Sequence, residues 1–345
     1  MLKAAVLGAT GNVGQIFVQL LDGHPWFEVT TVAASERSAG RTYGEASRWR
    51  QSTPVPEAVA PMEVVDIDPS AVKDVDIVFS ALPSDVAGKV EEEFAKAGYV
   101  VVSNASAHRM DPDVPMLNPE INCSHVSLIE EQRRKRKWDG AIVTNPNCST
   151  TVLTLPLKPI FDAFGIKSLI VSTMQAISGA GYPGVASLDI VDNVIPFIGG
   201  EEPKMESETQ KILGTASKPA DFKVSSSCHR VPTIDGHMEA VFVETKKKAE
   251  PNAVAEAMEN FVGEPQKLKL PSAPEKPVIV TWAKDRPQTR LDRMEGNGMS
   301  TVVGRIRRDS VFDGVKFIAL GHNTIRGAAG CGVLNAEYLK VKKFI

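Results

Sequence analysis

Residues 2 to 14 read Leu2-Lys3-Ala4-Ala5-Val6-Leu7-Gly8-Ala9-Thr10-Gly11-Asn12-Val13-Gly14. Ala4 to Leu7 is an unbroken small apolar run, the pattern of a short buried strand. Glycines follow at once, and Gln15 to Leu21 then carries apolar residues at helical spacing. Strand, glycine loop and helix in succession form the context in which a dinucleotide fingerprint is credible. The small residues let backbone N–H groups approach a pyrophosphate at the positive end of a helix. The spacing is GxxGxxG rather than GxGxxG, so the motif alone also fits a plain tight turn.

The same alternation continues downstream. Phe27 to Ala34 reads as a second strand and Val75 to Ser80 as a third, running into the loop Ala81-Leu82-Pro83-Ser84. Asp85 to Ala97 reads as a helix, Tyr99 to Ser103 as a strand, and Val143-Thr144 as the end of another. Strands alternating with helices predict an α/β fold, a doubly wound parallel sheet with helices on both faces. Such sheets bind ligands beyond the carboxyl ends of their strands, where Ser80, Ser103 and Cys148 fall. Past Cys148 the texture changes. Lys167 to Gln175 is a strand, residues 177 to 184 are a small-residue loop, and residues 204 to 213 look helical. Ser225 to Val231 and Met238 to Glu244 read as strands joined through Pro232 to Gly236, which suggests an α+β second unit. The Ala- and Gly-rich end of the chain, from Asn323 to Leu339, is expected to be helical and to return to the first unit. The expected division is therefore 1–147, completed by 323–345, and 148–322.

A chain of 345 residues is too long for a single core. A hydrophobic content of 43% and a charged content of 23% are those of an ordinary globular protein. A net charge of −3 gives no electrostatic case for nucleic acid or a membrane surface. No signal-peptide pattern and no apolar run of roughly 18 residues occurs, so a cytoplasmic protein acting on small molecules is expected. Cys123, Cys148, Cys228 and Cys331 lie far apart, which is no disulfide framework. No Cys or His pair has zinc spacing, and no metal site is expected. The run from Glu130 to Lys137 reads as a solvated helix, with Glu130–Arg134 and Glu131–Lys135 as i,i+4 pairs.

The stretch Val143-Thr144-Asn145-Pro146-Asn147-Cys148-Ser149-Thr150-Thr151 puts a thiol between a strand end and a helix start. A helix N-terminus lowers a cysteine pKa, and the thiolate is the nucleophile. Pro156 and Pro159 are expected to kink or shorten that helix beyond the turn that matters. A nucleophile beside a nicotinamide site implies covalent hydride chemistry on a carbonyl, with a histidine as first candidate for the proton. His24 and His125 sit in polar helix-end contexts and are expected at the surface, while His108 adjoins Arg109 in a loop. His229 lies in a strand beside Cys228, and His322 near the C-terminal segment. His237 follows an Asp-Gly turn at the head of a strand, a rim position suited to a base.

GATGNVG, SERSAG, SNASAHR, NPNCST, QAISGAG, GEEPKM, RVPTIDGH and HNTIRGAAG occur in this order. Together they make a chain that resembles the aspartate-semialdehyde dehydrogenase family, in its archaeal and fungal form, along essentially its whole length. The resemblance implies a Rossmann domain plus a catalytic and dimerisation domain, a homodimer or homotetramer, NADP, and a cysteine acyl-enzyme. It implies Cys148 as nucleophile, His237 as acid/base and Gln175 as the residue orienting the covalent intermediate. It implies Arg230 on the substrate carboxylate, for which a guanidinium fork is chemically suited. Glu201 would face the substrate amine, with Glu202 as its rival, and Lys204, Arg109 and Asn147 would serve the phosphate. Gly8, Thr10, Gly11, Asn12 and Val13 would cradle NADP. Ser80, Leu82, Ser178 and Gly179 would line its path, and Asn323 would bond the nicotinamide amide.

Other readings of these residues remain open: Glu201 with Lys204 as a surface pair, Arg230 as an ion-pair residue, Gln175 as an ordinary strand residue. After the second strand, Ser35, Arg37 and Ser38 offer a cation and two hydroxyls that suit a ribose 2′-phosphate, and Glu36 alone argues for NAD. The activity implied is reductive dephosphorylation of aspartyl 4-phosphate in lysine, threonine and methionine biosynthesis. The rivals are malonyl-CoA reductase, N-acetylglutamyl-phosphate reductase and a catalytically dead nucleotide sensor.

Overall fold

A computed structural model describes all 345 residues and contains two six-stranded sheets. The first is built from β1 (Leu2–Leu7), β2 (Phe27–Ala34), β3 (Val64–Asp66), β4 (Ile77–Ser80), β5 (Val100–Ser103) and β6 (Ala141–Thr144). All pairings are parallel and the order is β3-β2-β1-β4-β5-β6. Strands β4, β5 and β6 are buried along their whole length, as expected where helices cover both faces. The chain reverses direction of travel between β1 and β4, the switch point at which such sheets open a crevice. The strand expected third is in fact fourth. The short β3 escaped notice because three residues carry too little periodicity to read.

Six further strands form the second sheet: β7 (Ile166–Gln175), β8 (Lys223–Arg230), β9 (His237–Thr245), β10 (Val278–Thr281), β11 (Thr301–Arg308) and β12 (Gly314–Gly321). Their order is β10-β11-β12-β9-β7-β8, a mixed sheet. Strands β8 and β9, consecutive in sequence, are not neighbours: β7 lies between them, parallel to β8 and antiparallel to β9. Along β9 burial alternates strictly, so His237, Glu239, Val241 and Val243 share the covered face. That face packs on the helix Cys148–Phe164, with Val152, Leu155 and Ile160 meeting Leu169, Val171, Val241 and Phe317 in one core.

That helix runs without a break through Pro156 and Pro159. Eleven of its residues are buried, and this packing outweighs the kink expected from the prolines. The C-terminal helix Gly330–Val341 returns to the first sheet, where Val333, Leu334 and Leu339 join the core of Val6, Phe17, Phe79 and Val102.

His24 and His125 are buried rather than superficial. His24 bonds Glu337 of the C-terminal helix at 2.8 Å, and His125 lies against Asn122 and the carbonyl of Gly214. In the helix Leu128–Arg136 the Glu131–Lys135 pair forms, at 2.6 Å. Its basic end is not simply solvated, because Arg136 is held by Asp111, Asp113 and Glu92. No helix is long and apolar enough to cross a membrane.

Candidate active site

A cleft of about 500 Å³ lies at the carboxyl ends of the first sheet's strands. It is lined from the first sheet's side by Val13, Leu82, Asn104 and Arg109, and from the other by Gln175, Ser178, Gly179, Glu201, Lys204 and Arg230. Cys148 sits between them as the first residue of its helix, joined to the end of β6 by Asn145, Pro146 and Asn147. Asn147 makes this junction possible: its Oδ1 accepts the amide protons of Ser149 (2.9 Å) and Thr150 (3.2 Å), an N-cap that fixes the first turn.

His237 arrives from the head of β9, and its Nε2 lies 3.2 Å from the Cys148 Sγ. Its Nδ1 accepts the Ala176 amide proton at 3.1 Å, so in the neutral ring the proton resides on Nε2 and points at sulphur. For Nε2 to accept the thiol proton, the ring must first move its own proton to Nδ1, against the Ala176 N–H. Two glycines give the pair room. A Cβ on Gly179 would sit 3.0 Å from the His237 ring and 2.8 Å from Arg230, and one on Gly327 would sit 2.7 Å from the Cys148 Cβ.

The helix N-terminus does not set the resting state of the thiol. Although Cys148 opens onto the cleft, protein surrounds it, and burial pushes its pKa up to about 12. Glu201 adds to the rise, while Arg109, Arg230 and the Ser149 amide oppose it. Burial likewise pushes His237 down to about 3, helped by the positive Arg230 and by the neighbouring His322 ring. Burial thus favours the neutral form of both groups. Two residues beyond His237, on the same face, Glu239 is wholly buried with neither oxygen bonded, and burial holds its carboxyl well above the usual carboxylate range.

Around this pair the structure gathers every residue singled out for substrate. Arg230, at the end of β8, is buried with Nη1 donating to the Ala176 carbonyl at 2.8 Å. Gln175 ends β7 in the same register row, its Nε2 donating to Thr173 at 3.3 Å. The helix Glu201–Leu213 starts three residues earlier than its apolar pattern suggested, and this places Glu201 in its first turn. Glu201 accepts from Asn147 Nδ2 at 2.9 Å and faces the cleft, whereas Glu202 turns to β8 and accepts from the Cys228 amide. Lys204 lines the cleft one turn on. Arg109 is buried, donating through Nη1 to Glu208 and through Nη2 to the Asn104 carbonyl, with its Nε–H unpartnered. Glu208, Lys211 and Gly327 were missed by sequence reading, since a second carboxylate in a polar helix and a glycine among alanines carry no local signal.

The glycine loop fits a dinucleotide. Gly8 has φ +71, and a Cβ there would meet the Ala81 carbonyl oxygen at 2.8 Å. A Cβ on Gly14 would lie 2.2 Å from the Gly8 oxygen, so the helix Asn12–Leu21 can approach only without a side chain. Gly11 caps that helix with no side chain, leaving its first-turn N–H groups open to an anion. Leu82, Ser178, Gly179 and Asn323 line the cleft toward Cys148, and Asn323 spans Ser178 Oγ and the Gly236 amide, each at 2.8 Å. Thr10, Asn12 and Val13 belong to the loop and first turn, and Ser35, Arg37 and Ser38 follow β2 at the same sheet end. Ser80 differs: it is fully buried and its hydroxyl donates to Glu91, which also takes Ser103, each at 2.6 Å.

Comparison with known proteins gives concordant results. Residues 3–129 match the family model "Semialdehyde dehydrogenase, NAD binding domain", and residues 157–326 match "Semialdehyde dehydrogenase, dimerisation domain". The aspartate-semialdehyde dehydrogenase of Methanothermobacter thermautotrophicus is 58% identical, with 98% of this chain and 99% of that protein covered. The malonyl CoA reductase (NADP) of Metallosphaera sedula is 47% identical, with 100% and 98% covered. The crystal structure of aspartate semialdehyde dehydrogenase with NADP from Candida albicans superposes with a TM-score of 0.91, at 42% identity and full coverage of both chains.

Proposed function

This chain belongs to the semialdehyde dehydrogenase family, and we propose that it is an NADP-dependent aspartate-semialdehyde dehydrogenase of amino-acid biosynthesis. It interconverts L-aspartyl 4-phosphate and L-aspartate 4-semialdehyde through a thioester on Cys148. The observation that carries the reading is the 3.2 Å thiol–imidazole pair in one cleft with Arg230, Glu201, Lys204 and Arg109.

In the reductive direction the Cys148 thiol gives its proton to His237 Nε2, once the ring has moved its own proton to Nδ1; the sulphur attacks the acyl carbon, and phosphate leaves toward Arg109 and Lys204. Arg230 grips the α-carboxylate, Glu201 pairs with the amine, and Gln175 orients the acyl oxygen. NADPH bound beside Cys148 would supply the hydride that reduces the thioester. The resulting oxyanion re-forms its carbonyl and expels sulphur, whose developing charge the His237 Nε2–H stabilises from 3.2 Å. His237 is thus the acid/base group at sulphur. Residues 1–147 with 323–345 form the cofactor unit, in which Gly8 to Val13 hold the pyrophosphate and Ser35, Arg37 and Ser38 the 2′-phosphate. Residues 148–322 carry catalysis and assembly, and the match to a dimerisation domain supports an oligomer, taken here as a homodimer or homotetramer.

Malonyl-CoA reduction is the rival, because a relative of that name shares nearly half the sequence. Glu201 argues against it, since malonyl-CoA offers no amine to a buried carboxylate already oriented by Asn147. The deciding experiment is NADPH formation from aspartate semialdehyde as a function of phosphate, run beside NADPH oxidation by malonyl-CoA. Phosphate-dependent turnover of the semialdehyde with no malonyl-CoA activity supports the reading, and the reverse overturns it.

A further inference from the structure

Glu208 stands two turns along the same helix from Glu201, fully inside the protein, and its two oxygens serve two different segments. Oε1 accepts from Arg109 Nη1 at 3.1 Å. Oε2 accepts the backbone N–H of Asn147 at 2.6 Å, the amide directly before the nucleophile. Asn147 in turn passes its side-chain amide to Glu201. One turn beyond Glu208, Lys211 Nζ donates to the carbonyls of Arg109 (2.6 Å), Asp111 (2.9 Å) and Val114 (3.3 Å). A single helix face therefore grips Arg109 by its side chain and its backbone while gripping the strand–helix junction that carries Cys148. The two hydrogen bonds that Arg109 makes to protein use Nη1 and Nη2, and its buried Nε–H is left without a partner.

We propose that Glu208 is a positioning residue for the phosphate half-reaction: its forked carboxylate fixes Arg109 against the Asn147–Cys148 junction, which sets the separation between phosphate oxyanion and sulphur. Glu208 touches neither reactant. It acts through Arg109, by fixing the plane of the guanidinium at the edge of the cleft. This rests on the phosphate-dependent reading above.

The test is steady-state kinetics of the full-length enzyme in the oxidative direction, with inorganic phosphate, NADP and aspartate semialdehyde varied in turn. Wild-type phosphate dependence is measured first. Its absence removes the reading itself, whereas its presence leaves Glu208 to be judged separately. Glu208→Gln keeps the shape and an acceptor for Asn147 but turns an NH₂ toward Arg109. It is expected to raise KM for phosphate by about tenfold or more, the worth of a charge-assisted hydrogen bond, with KM for NADP unchanged within about twofold. In an Arg109→Ala background the same substitution is expected to change KM for phosphate by less than about twofold, because the residue it acts through is gone. Glu208→Asp, which keeps the charge but shortens the arm, is expected to fall between, and it carries the comparison if Glu208→Gln does not fold. An unmoved KM for phosphate, equal rises for phosphate and NADP, or an undiminished effect in the Arg109→Ala background would each overturn the proposal.

Discussion

The glycine loop is shaped by bare backbone, and the cleft around Cys148 is lined by side chains. Seven contiguous residues, Gly8 to Gly14, make the first region, and what matters in them is the absence of Cβ atoms: at Gly14 the nearest oxygen leaves 2.2 Å. The second region takes Cys148, Gln175, Glu201, Arg230 and His237 from five separate elements, and the thiol and imidazole that touch are 89 residues apart. A backbone cradle carries fixed dipoles and is indifferent to pH. A side-chain constellation is governed by burial, which here holds the thiol and the imidazole neutral against the pull of the helix N-terminus. The two regions should therefore fail in different ways.

Removing His237 is the strongest expected break between them. His237→Ala should lower kcat by roughly 10²–10⁴, the usual worth of a positioned proton group, with KM for NADP nearly unchanged. If His229→Ala had that effect instead, the pair at sulphur would be misassigned. Next comes the ionisation of the thiol. Only thiolate reacts with iodoacetamide, so in the free enzyme the labelling rate of Cys148 should climb about tenfold per pH unit from pH 7 to 10 without levelling. A plateau near neutrality would show that the helix dipole wins over burial. Arg230→Lys should raise KM for the semialdehyde by about tenfold, since an ammonium cannot reproduce the bidentate fork. The smallest effect belongs to the rim of the cradle. Arg37 is exposed, and Arg37→Ala should raise KM for NADP by roughly three- to tenfold while leaving NAD untouched. Equal kcat/KM with NADP and NAD in the unaltered protein would instead put Glu36 on the ribose.

Sequence reading served the two regions unequally, for physical reasons. The cradle is local: its glycines, its strand and its helix lie within twenty residues, and backbone demands are written directly in residue type. The Asp-Gly turn at the head of β9 singled out His237 as a rim residue, and the structure instead buries it completely, on the inward face of β9 against the Cys148 sulphur. What burial does to it was not legible. The sequence context pointed to a lowered thiol pKa, and only the enclosing structure reverses the sign. His24 and His125 failed for the same reason, each buried by a segment distant in sequence. Ser80 sits where a ligand-binding serine would, yet Glu91 from the following helix claims its hydroxyl. The exchange of neighbours that puts β7 between β8 and β9 is a long-range choice with no local mark. It is also what aligns Gln175 with Arg230.

The reading turns on a thioester at Cys148, and mass spectrometry tests that most directly. The protein is mixed with aspartate semialdehyde and NADP without phosphate, quenched in acid and digested. One aspartyl group should appear on the peptide containing Cys148, be absent from Cys148→Ser, and be discharged when phosphate is added before the quench. An unmodified Cys148 peptide from protein that nonetheless turns over, or the adduct on Cys123 or Cys228 instead, would contradict it.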